Sequence, residues 1–312
     1  MSPFKALALT LALSSVLAAC DGAPGETNIT ASNSVTLNRL PDMMDCVRDM
    51  GGMLISAHRG GPTEGFAENG LETLKHGYSR GLRVFEIDVS RSKDGVLFLL
   101  HDRTLQRTTT GSGAAINWDM DEIEYLQLVD NSGQRLDEAP PRLDAVLSWA
   151  VENDAIVQLD RKDPVEFGPL IRAVRNADAE NNTVLISYND GEAKEIARLA
   201  PEMMMTASVN SRDHQTELES AGVNFAQVVA WTGTRSPHPA AWRALGRRGI
   251  ESSFGTLGRP ETRLDTRYVA DGDLSEYQNL ADDGLHILST DEPYAVADYL
   301  TVDDRTLESC WQ

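Results

Sequence analysis

Short apolar runs of strand length recur along the chain, separated by longer segments whose apolar residues are spaced for one face of a helix. The strand-like runs fall at Met53 to Ala57, Val84 to Val89, Ile156 to Asp160, Val184 to Tyr188, Met203 to Ser208, Ala226 to Ala230, Ile250 to Phe254 and Leu285 to Ser289. Helix-like segments lie between most of them, at Leu71 to Arg80, Leu143 to Glu152, Pro169 to Asn176, Glu192 to Leu199, Thr216 to Ala221 and Ala240 to Arg248. This alternation predicts an α/β domain built on parallel strands, with eight staves if Leu97 to Leu100 is a hairpin return. Residues 102 to about 142 do not fit a strand-helix step and read as an insertion.

One strand breaks the apolar pattern. In Val84 to Val89 successive side chains face opposite ways, so Glu86 and Asp88 share one face while Phe85, Ile87 and Val89 share the other. Burying two like charges together costs several kcal/mol unless something neutralises them. A hard divalent cation, Ca²⁺ or Mg²⁺, is the simplest remedy. On parity alone, a solvated edge strand with its acidic face in water accounts for the pair equally well.

Two histidines can reach that strand. Asp94-Gly95 lies between strand-like runs, and a turn centred there places Asp88 and His101 as cross-strand neighbours. His58 closes the first run and is followed by Arg59 and a Gly60-Gly61 break, the kind of strand end where α/β proteins carry chemistry. Arg59 offers a planar fork suited to a phosphate. Two acids beside two imidazoles favour metal-assisted phosphoryl transfer.

These pieces carry a family resemblance. His58-Arg59-Gly60, Glu68-Asn69, Glu86-Ile87-Asp88-Val89, Lys93-Asp94-Gly95, His101-Asp102, Leu105-Gln106-Arg107-Thr108-Thr109 and Gly111-Ser112-Gly113 resemble, in order and spacing, the glycerophosphodiester phosphodiesterases. The resemblance implies a TIM (β/α)8 barrel over about residues 40 to 312, with the insertion of about 102 to 142 capping the barrel mouth. It further implies hydrolysis of a glycerophosphodiester to glycerol 3-phosphate and an alcohol with one divalent cation. Carried over by motif, His58 and His101 are the acid/base pair, and Glu86 and Asp88 are metal ligands. A further acidic ligand comes from a later strand, where the family has Glu-x-Lys and this chain has Asp160-Arg161-Lys162. Gln158, Asp160 and Lys162 share a face, with Arg59, Lys162, Glu68 and Asn69 expected around the phosphate. Here Ala67-Glu68-Asn69-Gly70 stands where the family has Pro-Glu-Asn-Thr. Trp231 is expected on the rim against substrate, and Thr290-Asp291 along the pocket. Trp118 and Tyr125 belong to the insertion, as substrate contacts or as packing, and Met203-Met204-Met205 reads as core.

Composition sets the surroundings. The first nineteen residues hold one Lys and no acid, with an apolar run from Ala6 to Leu17 that suits a signal peptide and is short for a bilayer. Leu17-Ala18-Ala19-Cys20 resembles a bacterial lipobox, which implies lipidation of Cys20 and a lipid-anchored protein of the bacterial cell envelope; ordinary cleavage near Ala19 is the alternative. Residues 20 to 39 read as the lipidated cysteine and a flexible tether. The net charge of −20 argues against nucleic acid and against docking on anionic lipid, so a phosphate must be drawn in by local cations. In a closed barrel the first and last strands are neighbours, and an exported protein meets an oxidising compartment, so Cys46 and Cys310 are expected to form a disulfide; two separate buried thiols are the alternative.

Three readings fit the chain at this level: a metal-dependent glycerophosphodiesterase, a phospholipase D-like or cyclising lyase relative acting on lysophospholipid or sphingolipid headgroups, and a non-catalytic glycerophosphoryl-binding lipoprotein. The paired histidines favour the enzymes, because a binder has no need of a positioned proton donor and acceptor.

Overall fold

The computed structural model describes residues 39–300 and 309–310. The expected signal peptide, the lipidation of Cys20 and the expected tether up to residue 38 lie outside these residues, while Arg39, its last expected residue, begins a helix.

Eight parallel strands close into a barrel: β1 (Leu54–Ala57), β2 (Val84–Arg91), β4 (Ile156–Arg161), β5 (Thr183–Ile186), β6 (Met204–Ser208), β7 (Val228–Trp231), β8 (Glu251–Gly255) and β9 (Ile287–Thr290). Closure comes from β1 pairing with both β2 and β9. The remaining strand, β3 (Leu97–Leu99), runs antiparallel to β2 as the predicted hairpin return. Its register corrects one expectation. Val89 faces Leu99 and Ser90 faces Phe98, which puts Leu100, not His101, opposite Asp88. The hairpin closes through Ser92 N to Val96 O at 2.9 Å around Lys93-Asp94-Gly95, a three-residue loop centred on Asp94 with Gly95 at φ 90°. His101 therefore stands one residue beyond the ladder.

Helices between the staves cover the outside. They are α2 (Leu71–Ser79), α4 (Leu143–Glu152), α5 (Phe167–Asn176), α6 (Asp190–Leu199), α7 (Arg212–Ser220), α8 (Pro239–Gly246), α10 (Ser275–Asp282) and α11 (Pro293–Tyr299), with the short α3 (Met120–Ile123) and α9 (Leu264–Tyr268) in loops. In α5, Phe167, Leu170, Ile171 and Val174 recur at helical spacing and are all buried, so this face joins the main core. No helix among the described residues is long and apolar enough to cross a membrane.

A helix that the sequence reading did not anticipate, α1 (Arg39–Asp49), closes the amino-terminal end of the barrel. Its Leu40, Met43, Met44 and Val47 pack against Leu54, Val84, Ile156, Val184, Met204, Val229 and Ile287. Burying each side chain of this size is worth roughly 1.5–3 kcal/mol, so the plug contributes substantially to stability. Cys46 of α1 is disulfide-bonded to Cys310, as expected, with the Cα atoms 5.6 Å apart.

The plug also fixes what lies above it. Each of these strand residues points inward, so side chains two and four positions later point inward as well. Val84 leads to Glu86 and Asp88, Ile156 to Gln158 and Asp160, Met204 to Thr206 and Ser208, and Ile287 to Ser289 and Asp291. The barrel interior thus changes from apolar to polar towards its carboxyl end. In the insertion, Leu105, Ala115, Met120 and Ile123 form a small core with Phe98 and Leu100. Trp118 packs on that core, and Tyr125 is exposed.

Candidate active site

Three carboxylates converge at the carboxyl end of adjacent strands. Parallel pairing sets Asp88 of β2 beside Asp160 of β4 and Glu86 beside Gln158. Oxygens of Glu86, Asp88 and Asp160 lie within 4.8 Å of one another, and all three residues are buried. Burial together with the charge of Asp88 pushes the Glu86 carboxyl up to about 8. Burial acts on Asp88 in the same sense, but Lys162, His101 and Asn69 outweigh it and hold Asp88 below the usual range. Lys162 Nζ sits 2.7 Å from Asp88 Oδ1 and 2.5 Å from Asp160 Oδ2. Tyr188 donates its hydroxyl to Asp160 Oδ2 at 2.5 Å. Asp160 Oδ1 is buried without a hydrogen-bond partner, and Asp88 Oδ1 has only the unaligned Lys162 contact. An all-oxygen donor set with an unsatisfied carboxylate oxygen fits a divalent cation.

The turn after β1 approaches this trio through unusual backbone. Arg59, Gly60 and Gly61 take φ values of 54°, 83° and 77°, and a Cβ at Gly60 would lie 2.9 Å from Leu74. That path aims Arg59 N at Glu86 Oε2, 2.8 Å away. Asn69, at φ 60°, donates its backbone N–H to Arg59 O, and its side-chain amide donates to Asp88 Oδ2 at 2.7 Å while accepting from Asp88 N at 2.9 Å. Two non-glycine residues in left-handed conformations beside the acids are the kind of local strain that functional sites hold.

Both histidines are oriented in one manner. His58 Nδ1 lies 2.6 Å from Asp291 Oδ1, leaving Nε2 on the side of Glu86 at 3.9 Å. Burial lowers the His58 pKa, but the Asp291 hydrogen bond and the charges of Glu86 and Asp291 outweigh it, and the net shift is upward. Asp291 is itself fixed by Gly258 N at 3.0 Å and Arg263 Nη1 at 2.8 Å. Burial disfavours its charged form, yet the His58 contact and these donors bring it down to about 2. His101 Nδ1 lies 2.7 Å from Asp102 Oδ1, and Asp102 accepts from Arg107 at 2.6 and 2.9 Å. The Arg107 hydrogen bond holds the Asp102 carboxyl far below the usual range. Arg107 also grips Glu68 at 2.7 and 2.8 Å, and Glu68 in turn accepts from Arg59 at 3.0 Å. Glu68 and Asn69, expected around the phosphate, thus hold other site side chains.

Two cavities meet at His58 and Leu257. One, of about 390 Å³, is lined by Glu86, Gln158, Asp160, Tyr188 and Trp231 together with hydroxyls of Ser187, Thr206, Ser208, Ser253 and Ser289. Gln158 accepts from Ser56 Oγ at 2.7 Å, and its Nε2 is a buried donor without a partner. The other, of about 510 Å³, is walled by Arg59, Glu68, Arg107, Arg259, Arg263 and Asp291.

The sequence reading brought together His58, His101, Glu86, Asp88, Asp160, Arg59 and Lys162, placed Trp231 on the rim, and placed Asp291 near the pocket without its partner. It missed Tyr188, Arg263 and the linking role of Arg107. Inward parity carried past Ile186 would have found Tyr188; the two arginines gave no local signal.

A closed (β/α)8 barrel carrying polar chemistry at the carboxyl ends of its strands puts the chain among the TIM-barrel proteins. The chain belongs to the glycerophosphoryl diester phosphodiesterase family, whose sequence model matches residues 58–234. It is 28% identical over 156 residues to a glycerophosphodiester phosphodiesterase of Caldanaerobacter subterraneus, covering 48% of this chain and 64% of that protein. It is 27% identical over 197 residues to a probable glycerophosphodiester phosphodiesterase 2 of Mycobacterium tuberculosis, covering 62% and 66%. The chain therefore spans just under two thirds of these curated relatives. Among solved structures, a glycerophosphoryl diester phosphodiesterase of Parabacteroides distasonis superposes with a TM-score of 0.68 and 27% identity, over 79% of this chain and 85% of that one. An Oleispira antarctica phosphodiesterase in complex with the product sn-glycerol-3-phosphate shares the fold, at a TM-score of 0.58 and 19% identity over 78% and 95%.

Proposed function

We propose that this protein hydrolyses glycerophosphodiesters to glycerol 3-phosphate and an alcohol by acid/base catalysis between His58 and His101. The observation that carries this reading is the pair of imidazoles, each with Nδ1 held by an aspartate, Asp291 or Asp102, which frees Nε2 for proton transfer. One imidazole takes a proton from the attacking water as its oxygen bonds to phosphorus. The other gives a proton to the alcohol oxygen as the P–O bond breaks. Arg59 and Lys162 stand beside the trio and offset charge on the phosphate oxygens. Glu86, Asp88 and Asp160 would hold a divalent cation, Ca²⁺ or Mg²⁺, which when bound supplies Lewis-acid stabilisation of the phosphoryl oxygens. The hydroxyl-lined cavity suits the glycerol arm, with Gln158 Nε2 as an unspent donor and Trp231 as an apolar wall. The same reading puts the protein on a lipid anchor at Cys20 in the bacterial envelope, supported by Leu17-Ala18-Ala19-Cys20.

The test is an assay of the protein on glycerophosphocholine, glycerophosphoethanolamine and a lysophospholipid with Ca²⁺, Mg²⁺ or EDTA. Free headgroup with glycerol 3-phosphate, lost in EDTA, is the expected result. A cyclic phosphate as the end product would overturn hydrolysis in favour of a lyase.

A further inference from the structure

The two cavities that meet at His58 differ sharply in charge. In the hydroxyl-lined one the charged walls, besides His58, are the acids Glu86 and Asp160. The other presents four guanidinium groups, from Arg59, Arg107, Arg259 and Arg263, against the carboxylates Glu68 and Asp291. Three of the four are committed: Arg59 and Arg107 to Glu68, Arg107 also to Asp102, and Arg263 to Asp291 and Glu292. Arg259 has no ion-pair partner among the described residues and lies exposed in the loop after β8. The loop is tied to the site: Gly258 N and Arg263 both donate to Asp291, the carboxylate that orients His58. An unspent guanidinium thus lines a cavity that also reaches His58. In a chain of net charge −20, this guanidinium without an ion-pair partner is the cation of the cavity left to meet an anion.

We infer that the arginine-walled cavity receives the leaving alcohol, and that it selects diesters whose alcohol carries a second anionic group, such as a phosphomonoester. Arg259 supplies the charge-assisted hydrogen bonds, and the ion pairs of Arg107 and Arg263 form the rest of the polar wall. The inference rests on the diesterase reading for which arm lies where. A quaternary ammonium headgroup would meet like charge there, so choline esters become the poorer substrates.

The test uses a matched pair, glycerophosphoglycerol and glycerophosphoglycerol 3-phosphate, which differ only in the terminal phosphate. The readouts are the ratio of their kcat/KM values and the ratio of their affinities by titration calorimetry in EDTA, where neither is consumed. Wild type should favour the phosphorylated diester about tenfold in both, and Arg259→Gln should erase most of that preference. Arg259→Lys should restore part of it. Arg267→Gln, an exposed change on the next helix that does not line the cavity, should leave the ratio unchanged. Equal values for the two diesters in wild type, or an unchanged ratio in Arg259→Gln, would overturn the inference. If wild type cleaves neither compound, the diesterase reading fails. Calorimetry then still decides the cavity: tighter binding of the phosphorylated compound that depends on Arg259 upholds it, and equal binding overturns it.

Discussion

Tyr188 donates its hydroxyl to Asp160 Oδ2 at 2.5 Å, reaching across from the end of β5 to a carboxylate on β4. Asp160 stands where the family has the longer Glu, and this bond pins the shorter side chain among its fellow acids. Outer partners of metal ligands are typically worth 10–100-fold in affinity. Tyr188→Phe should weaken Mg²⁺ or Ca²⁺ binding by roughly tenfold with the melting temperature little changed. Unchanged affinity by calorimetric titration would remove Tyr188 from the support of the site.

His58→Ala and His101→Ala should each lower kcat by roughly 10²–10⁴-fold, the range for a positioned proton donor or acceptor. Circular dichroism should show the fold intact, since both side chains sit at the carboxyl end above the core. Near-wild-type turnover in either variant would sink the acid/base assignment.

Asp291 should set one limb of the pH profile. Its hydrogen bond and charge raise the His58 pKa, so Asp291→Asn should move one limb of kcat/KM to lower pH and leave the other in place. A profile that keeps both limbs would show that His58 does not titrate in the rate.

Stability should carry the signature of a different histidine. His286 is buried near the amino-terminal end, and its Nδ1 accepts from Ser252 N at 3.0 Å, which requires the unprotonated nitrogen. Burial, helped by the charge of Arg48, lowers it to about 4. A histidine depressed in the folded state contributes stability above its unfolded pKa near 6.5 and loses it as pH falls towards 4, here roughly 3 kcal/mol in all. Glu251, pushed up to about 7 by burial, acts in the opposite sense over much of that window. The informative quantity is therefore the difference in urea stability between wild type and His286→Gln. That difference should change between pH 7 and pH 4.5, and a constant difference would refute the burial argument.

How much of this was legible beforehand depends on how local the signal is. The staves were readable because each is an apolar run that buries itself, and Glu86 and Asp88 stood out because they interrupt one. The hairpin was readable in kind but not in register, since Asp94-Gly95 suits both two- and three-residue loops and only the ladder decides between them. Helix α1 carries a plain i, i+3, i+4, i+7 pattern in Leu40, Met43, Met44 and Val47, overlooked beside the tether that precedes it. The aspartate partner of His58 is 233 residues away in sequence, and barrel closure alone brings it near. Arg263 and Arg107 are similar cases: an arginine in a loop has no pattern until its carboxylate is in place.

The bond between Cys46 and Cys310 joins positions 264 residues apart, so almost the entire folded domain is one covalent ring. A protease that cuts a single exposed loop would open the ring without separating it into pieces. Such nicked protein would keep its full mass until reductant divides it, and the plug helix would stay tethered to the barrel meanwhile.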